Sequence, residues 1–240
     1  MQLGSRRDGG SASRGYVRPL VAACLLLLVW ARSAETADED VQLWVPVTWT
    51  ASLTGPLLGF VEVQPRVGND VSQVTQLIMR TALGYRFAPR WSAWLGYAWT
   101  PTVAPTHRDE NRIFQQLLFA DTYSLARVTS RTRLEQRWIE GISGTSVRFR
   151  TMLRGVFPFT EDKLWGVALQ DEIFFNLNTA APGAPRAGFD QNRFFLGLNY
   201  IIDDSLNIDA GYMMQFVDTA EPGSPDRVNH ILFLQIYLNS

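Results

Sequence analysis

The sequence predicts an all-β protein, an antiparallel up-and-down transmembrane β-barrel, and three observations support this prediction. Apolar and polar residues alternate in many segments, and a period of two is the mark of a β-strand. The segments are about ten to sixteen residues long, which exceeds the usual five or six of a soluble strand and suits a tilted transmembrane strand. Their connections alternate between short turns and longer loops rich in Pro, Gly and Asp, as in outer-membrane barrels.

The clearest alternation lies in the predicted hairpin 127–154, where arginines occupy alternate positions of both strands. The intervening positions of the second strand carry Val147, Phe149, Thr151 and Leu153. In a water-soluble sandwich, the charged face of this hairpin would look outward and the apolar face would meet a core. In an outer-membrane barrel, the apolar face would meet lipid and the charged face would line the lumen. The hairpin alone does not decide between them.

Eleven segments have the length and pattern of strands. They lie at about 41–52, 57–66, 72–87, 91–102, 111–122, 126–139, 145–158, 164–177, 189–202, 206–217 and 227–239. Bacterial single-chain barrels have an even number of strands. Either the segment 41–52, which Pro46 interrupts, is not a full strand, or one strand is missing from the count. The prediction is therefore twelve strands, with ten as the alternative.

Aromatic residues lie near the ends of these segments, where outer-membrane barrels carry girdles of amphipathic rings. The residues are Trp44, Trp49, Tyr85, Trp91, Trp99, Trp138, Trp165, Tyr200 and Tyr237. Aromatic residues are also common in any sheet, so a purely structural explanation stays open.

The amino-terminal residues predict export. Arg14 and Arg18 precede the apolar run 20–31, which is too short to span a bilayer and is followed by small residues at Ser33 and Ala34. This order of charged, apolar and small residues is typical of a secretory signal peptide.

Residues 1–33 are therefore predicted to be a removed signal peptide, 34–40 a short disordered N-terminus and 41–240 an outer-membrane β-barrel. Cys24 is the single cysteine, so the mature chain would have no disulfide. The predicted location is the cell outer membrane. The expected partners are outer-membrane lipid and lipopolysaccharide, with the barrel-assembly machinery during insertion. Export excludes nucleic acid as a partner, and the oligomeric state stays open.

Eight phrases of the mature chain match a known family in order. They are SQVTQLIMRTALGYRF at 72–87, WLGYAWTPT at 94–102, ENRIFQQLLF at 110–119, SRTRLEQRW at 130–138, RFRTMLR at 148–154, QDEIFFNLN at 170–178, FDQNRFFLGLNY at 189–200 and AGYMMQF at 210–216. The series resembles an uncharacterised family of Gram-negative outer-membrane β-barrels, the domain of unknown function numbered 2490. The resemblance implies a barrel in the outer membrane. It implies no activity and no functional residue.

The alternation predicts a cluster of charged side chains that point into the lumen. Its members are Arg80, Arg86, Arg131, Arg133, Glu135, Arg137, Arg148, Arg150, Arg154, Glu172 and Arg193. The first interpretation is structural, because charges inside a small barrel pair across strands, plug the lumen and fix the register. The alternative is an anion-permeable pore or small-solute channel of porin-like character, since rings of Arg select against cations.

A third interpretation is an outer-membrane lipid-modifying hydrolase, which would need a serine beside a histidine. His107 lies in a Pro-rich loop and His230 lies on a strand. Ser143 and Ser146 in the outer loop are candidates to approach His107, but no feature of the sequence brings them together. The sequence has no Gly-x-Ser-x-Gly motif, no metal-spaced cluster of His, Cys and Glu, and no phosphate-binding loop. We therefore expect no enzymatic activity, no cofactor and no metal.

Overall fold

The structure is a computed structural model that describes residues 37–219 and 224–240. The predicted signal peptide 1–33 lies outside the described residues. Within them the chain is all β. The strands are β1 (Asp38–Trp44), β2 (Val47–Ser52), β3 (Leu57–Gly68), β4 (Gln73–Ala88), β5 (Trp91–Trp99), β6 (Glu110–Thr122), β7 (Arg127–Ile139), β8 (Ser146–Pro158), β9 (Trp165–Asn176), β10 (Gly188–Ile201), β11 (Leu206–Val217) and β12 (Arg227–Asn239). No described segment is a helix long and apolar enough to cross a membrane.

The twelve strands form one sheet that closes into a barrel. From β3 to β12 each strand pairs antiparallel with the next along the chain. Strands β1 and β2 both lie between β12 and β3, parallel to the former and antiparallel to the latter. The barrel therefore has eleven positions around its circumference, and β1 and β2 share one of them.

Pro46 explains why this position is divided between two strands. Proline has no backbone N–H to donate, so it interrupts a ladder. The neighbouring backbone groups stay paired, because the Val45 N–H donates to the Pro65 carbonyl at 3.2 Å and the Ile236 N–H donates to the Pro46 carbonyl at 2.9 Å. The chain thus continues past the proline without leaving the sheet.

The predicted closed all-β barrel is confirmed, and the difference lies at the seam. An up-and-down chain with an odd number of positions has first and last strands that run in the same direction, so closure requires parallel pairing. The rule of even strand number therefore did not apply to the eleven segments recognised in the sequence. The first strand also begins at Asp38, inside the stretch 34–40 that was predicted to be disordered.

The three longest connections all lie at one end of the barrel, and connections of four to six residues occur at both ends. Residues 100–109, 140–145 and 177–187 and the β11–β12 connection lie at one end together with the 69–72 turn, and we call this the long-connection end. The other end carries the turns at 53–56, 89–90, 123–126, 159–164 and 202–205, and we call it the short-turn end. Because the number of positions is odd, β1 starts at the long-connection end while β12 finishes at the short-turn end.

The polarity of the barrel is the inverse of that of a soluble protein. Large apolar side chains point outward, and Leu83 and Leu95 are 67% and 60% exposed. Inside, Arg133 and Glu135 are 2% and 1% exposed. Among the described residues, more polar and charged than apolar side chains are buried. The charged face of the hairpin formed by β7 and β8 therefore lines the interior.

The structure also settles the side-chain directions that the sequence left open. In β6 the inward face carries Arg112 and Phe114, whereas Leu117 and Phe119 point outward. Two of the aromatic residues assigned to the girdles lie inside the barrel. Trp44 is buried, and the Tyr237 hydroxyl donates to Asp209 at 2.8 Å.

Two apolar clusters fill parts of the interior. The first comprises Trp44, Val156, Ala168, Phe195, Met213, Ile231 and Phe233. The second comprises Leu58, Ala82, Trp94, Ala98 and Phe114. Glycine permits the second cluster to pack, because a Cβ at Gly84 would overlap the Trp94 ring and a Cβ at Gly96 would overlap the Phe114 ring.

Candidate functional site

A cavity of about 630 Å³ occupies the interior at the long-connection end. Carboxylates at the starts of β1 and of the 69–72 turn lie at its rim, among them Asp38 and Asp70. Its deeper wall is formed by arginines, including Arg66, Arg80 and Arg150. A second cavity of about 320 Å³ lies at the short-turn end and shares no lining residue with the first.

The structure brings most of the predicted lumen charge cluster together inside the barrel. Arg80, Arg133, Glu135, Arg137, Arg148, Arg150, Glu172 and Arg193 are buried. Arg131 and Arg154 are more accessible, with side chains 24% and 15% exposed, and both make interior ion pairs. Arg86 is the exception, because it is exposed and lines the smaller cavity at the short-turn end. Arg86 lies six residues after Arg80 on the long strand β4, so it lies beyond the buried charged residues and beside the smaller cavity.

Several of these arginines are held by carboxylates. Arg80 Nη1 donates to both oxygens of Glu62 at 2.6 and 2.7 Å. Glu110 accepts two hydrogen bonds from Arg112, at 2.8 and 2.9 Å, and two from Arg137, at 2.5 and 3.3 Å. Charge-assisted bonds of this kind are about twice as strong as neutral ones, so these side chains are fixed in place.

The remaining carboxylates are shared among arginines of β7, β8 and β10. Glu135 accepts two hydrogen bonds from Arg148, at 2.7 and 3.0 Å. Arg148 also donates to Asp190 at 3.1 Å. Glu172 accepts one hydrogen bond from Arg131 at 2.8 Å.

Three arginines that line the cavity, Arg66, Arg150 and Arg193, have no hydrogen bond to a carboxylate among the described residues. Arg66 donates to Gln76 at 2.9 Å, and Arg193 donates to Gln191 at 3.3 Å while its Nη1 lies 3.8 Å from Glu172. The Nε of Arg150 lies 3.4 Å from Glu135 and 3.6 Å from Glu172, outside hydrogen-bond geometry. Its Nε and Nη2 atoms are buried and without a hydrogen-bond partner.

The rings of Trp44 and Phe174 pack against these three guanidinium groups. The Arg66 guanidinium carbon lies 3.5 Å from the centre of the Trp44 ring, and that of Arg193 lies 5.0 Å from it. The Phe174 ring lies 4.6 Å from Arg193 and 5.4 Å from Arg150. A cation over a ring face is attracted by the ring quadrupole. Trp44 and Phe174 therefore hold the arginines in place without neutralising their charge.

The cavity network carries an excess of positive charge. Its arginines are Arg66, Arg80, Arg112, Arg131, Arg133, Arg137, Arg148, Arg150 and Arg193, and its carboxylates are Glu62, Glu110, Glu135, Glu172 and Asp190. Nine guanidinium groups against five carboxylates leave a formal excess of four positive charges in this buried network. The rim adds Asp38, Glu39, Asp40 and Asp70 against Arg227, so the excess over the whole site is one. The cross-strand pairing predicted for these charges is present, and it is incomplete.

A second polar network lies toward the short-turn end around Asp209, which is 1% exposed. The Asp209 carboxylate accepts hydrogen bonds from Arg154 at 2.6 Å, from Asn199 at 2.8 Å and from Tyr237 at 2.8 Å. Arg127 extends the network by donating to Asn199 at 2.6 Å. In this network the carboxylate has a full set of donors.

Seven charged residues of these networks are absent from the predicted cluster: Glu62, Arg66, Glu110, Arg112, Arg127, Asp190 and Asp209. Glu62 and Arg66 share the inward parity of β3 with Gln64, so their alternation was available as a signal. Glu110 and Arg112 could not be placed, because both faces of β6 carry apolar residues. The pairing of Asp209 with Arg154 joins strands far apart in sequence, and one sequence does not show such a contact.

The two histidines have partners other than serine. His107 Nε2 lies 3.7 Å from an oxygen of Asp109, and the Tyr212 hydroxyl lies 2.6 Å from His230 Nδ1. His107, Asp109 and Glu140 could in principle hold a metal ion, since one ligand atom from each lies within 4.8 Å of the others. Asp109 and Glu140 already fix the loop, because Asp109 accepts from Trp99 and its N–H donates to Glu140.

Fold and interior together define a class of protein: a closed β-barrel with an apolar outer face and a charged interior. The model of the family described as a protein of unknown function (DUF2490) matches residues 41–226, and the chain belongs to this family. The chain is also 34% identical over 229 residues to an uncharacterised protein of Methylorubrum extorquens, over 93% of this chain and 98% of that protein. The family resemblance noted in the sequence is thereby confirmed.

Proposed function

We propose that the chain is an integral outer-membrane β-barrel protein whose lumen is sealed. The observation that carries the proposal is the inverted polarity of the barrel, with apolar side chains outside and charged side chains buried inside. A water-soluble monomer rarely exposes an apolar surface of this extent. An apolar band around a polar interior is the arrangement of outer-membrane barrels.

The height of the outward apolar face supports the proposal. On β9 the outward residues run from Trp165 to Phe175, which are ten residues apart, and all of them except Asp171 are apolar. At about 3.3 Å per residue and a tilt of about 40°, this stretch spans about 25 Å along the barrel axis, the height of an outer-membrane apolar band. Trp165 also stacks on Tyr200 with ring centres 4.3 Å apart at the short-turn end, where a girdle belongs.

Polar side chains on the outer face are satisfied by one another, which is what a hydrocarbon surrounding demands. Gln115 and Gln136 exchange two hydrogen bonds of 3.1 Å across neighbouring strands. Asn192 donates to Asp171 at 2.9 Å. These pairs leave few outward groups that would need water.

The sealed lumen is the part of the proposal that distinguishes it from a pore. The two interior cavities share no lining residue. Phe114 and Arg133 lie between them and are 1% and 2% exposed. Outer-membrane lipid and lipopolysaccharide are the proposed partners of the outer face, with the barrel-assembly machinery acting during insertion. We propose no enzymatic activity.

The second candidate function is an anion-permeable pore, and the excess of arginine in the cavity network favours it. Planar bilayers separate the two candidates. The sealed barrel should give no steady conductance, whereas sustained anion-selective current that falls in the Arg133→Gln/Arg150→Gln double variant would establish the pore.

Fractionation tests the membrane location. The protein should remain with the outer membrane after carbonate extraction and should migrate differently in SDS gels before and after boiling. Recovery as a soluble, salt-extractable periplasmic protein would refute the proposal. An epitope at Pro182-Gly183, in a long connection, should be labelled on intact cells, and one at Asp203-Asp204 should need a permeabilised outer membrane.

A further inference from the structure

The cavity at the long-connection end is built to receive a ligand of negative charge. Arg66, Arg150 and Arg193 line it and have no hydrogen bond to a carboxylate among the described residues. Arg150 is 2% exposed and retains buried donor atoms without a partner. Leaving a buried charged donor unsatisfied is costly, so a bound acceptor would stabilise the site.

The rim of the cavity carries negative charge and its deeper wall carries positive charge. The positive charge has the stronger effect on a ligand inside the cavity. The carboxylates of Asp38 and Asp70 are at the mouth, where water and salt screen them. Asp40 is also engaged, because it accepts the backbone N–H groups of Asn69 and Asp70 at 3.3 and 2.9 Å. The guanidinium groups lie in a low-dielectric interior, where a charge interacts several-fold more strongly than at the surface.

We propose that this cavity binds a small multivalent oxyanion, a solute that carries phosphate or several carboxylates, through Arg66, Arg150 and Arg193. Guanidinium groups form bidentate hydrogen bonds with such oxyanions. A volume of about 630 Å³ lies in the range of small-molecule sites. If the proposed outer-membrane location holds, on which this assignment rests, the binder is a free solute rather than a lipid headgroup, because the cavity opens inside the barrel while lipid would surround the outer face.

Binding of pyrophosphate and citrate to the full-length mature protein, folded in detergent, tests the proposal by isothermal titration calorimetry. The wild type should bind at least one of the two probes, and the affinity should fall as the salt concentration rises. Arg66→Gln and Arg193→Gln should each weaken binding about tenfold, the effect of losing one charge-assisted hydrogen bond. Arg66→Lys keeps the charge and should recover part of the loss.

Arg86→Gln is the matched control, since Arg86 lies on the inward face of β4 but at the opposite mouth. It should leave the affinity unchanged. Heat-dependent gel mobility shows whether each variant is folded, and the comparison uses folded variants only. Absence of binding at millimolar concentrations of both probes, or equal losses in the cavity and control variants, would overturn the proposal.

Lipopolysaccharide is the competing source of phosphate. If added lipopolysaccharide does not displace pyrophosphate, a free solute is the ligand class. If it displaces pyrophosphate and the Arg193→Gln variant loses this competition, the oxyanion site stands, but the assignment to a free solute is overturned and the ligand is the lipid phosphate. These titrations need no membrane fractionation, so their failure and that of the outer-membrane proposal are distinguishable.

Discussion

The cavity network and the Asp209 network lie inside the same barrel and differ in how donors and acceptors are balanced. Asp209 is one buried carboxylate that accepts hydrogen bonds from Arg154, Asn199 and Tyr237. In the cavity network, guanidinium groups outnumber carboxylates by four, and Arg150 keeps two buried donors without a partner; in the Asp209 network the excess is one, and Arg154 Nε is its one such donor among the described residues. A satisfied buried network rigidifies a fold, whereas an unsatisfied one is destabilising unless something else binds to it. The difference therefore separates a structural element from a candidate binding site.

We expect the largest loss of stability from replacing Asp209, the carboxylate of the Asp209 network. Asp209→Asn takes the charge from a carboxylate that is 1% exposed and leaves Arg154 without its ion-pair partner. We expect a loss of about 3–5 kcal/mol in the free energy of unfolding, the cost of breaking a buried pair. Urea unfolding in detergent micelles measures it. A loss as small as that of Asp190→Asn, whose carboxylate is 18% exposed, would contradict the comparison.

The next effect concerns the rings beneath the cavity arginines. Phe174→Leu should cost about 1–2 kcal/mol of stability, from lost burial and a partly filled cavity. It should also weaken pyrophosphate binding several-fold, because Phe174 positions Arg150 and Arg193. Phe195→Leu is the control, since Phe195 belongs to an apolar cluster. It should lose similar stability and keep its affinity. If both variants lose affinity equally, Phe174 has no positioning role.

We expect a smaller loss of stability from removing an arginine from the cavity network, in which arginines outnumber carboxylates. Arg150→Gln removes ion pairs with Glu135 and Glu172 but breaks no hydrogen bond found among the described residues. These carboxylates keep the hydrogen bonds from Arg148 and Arg131. Its free energy of unfolding should therefore stay within about 1 kcal/mol of the wild-type value. Arg154→Gln, which breaks the bond to Asp209, should cost clearly more. Equal losses in the two variants would show that both networks are structural.

The fold could be predicted from the sequence because side-chain alternation and turn residues act locally. The eleven segments, the inward direction of Arg133 and Arg150 and the grouping of the longest connections at one end all follow from such local patterns. The seam could not be predicted in this way, because the pairing of β1 with β12 joins the two termini of the barrel. The general rule of even strand numbers does not determine how the two termini of this barrel pair, and the residues of β1 and β12 do not show it locally.

The candidate site was predictable only in part. The alternation along β4 places Arg80 and Arg86 on the same face of the strand. Alternation does not show where a residue lies along the barrel axis, and the two residues line different cavities. Which arginines keep a carboxylate depends on contacts between distant strands, such as Arg131 with Glu172 across 41 residues. The excess charge of the cavity network is therefore a property of the fold, although each arginine was visible in the sequence.

The smallest expected effect separates burial from the number of hydrogen bonds. Asp203, in the turn between β10 and β11, also accepts three hydrogen bonds, from the Ser205 hydroxyl at 2.6 Å and from the N–H groups of Ser205 and Leu206 at 2.7 and 2.9 Å. Unlike Asp209 it is exposed to water. The bond from the Ser205 hydroxyl, with those from the backbone, lowers the pKa of the Asp203 carboxyl below its ordinary value.

The sign of the pH dependence follows from that lowered pKa. The folded state prefers the ionised carboxylate, so the contribution of Asp203 is fully present above the pKa of an unfolded aspartate, about 3.9. It is lost as the pH falls through the lower pKa of the folded state. Asp203→Asn should therefore lower the urea midpoint slightly at pH 7, far less than Asp209→Asn, and the difference from wild type should shrink below about pH 4. Asp204→Asn, in the same turn, is the control for removing a charge there, because no hydrogen bond to the Asp204 side chain is found among the described residues, and it should leave the urea midpoint at pH 7 unchanged. If Asp203→Asn loses as much stability as Asp209→Asn, the number of accepted hydrogen bonds, rather than burial of the charge, determines how much stability is lost. The Asp209 network would then contribute no more to the stability of the barrel than an exposed turn.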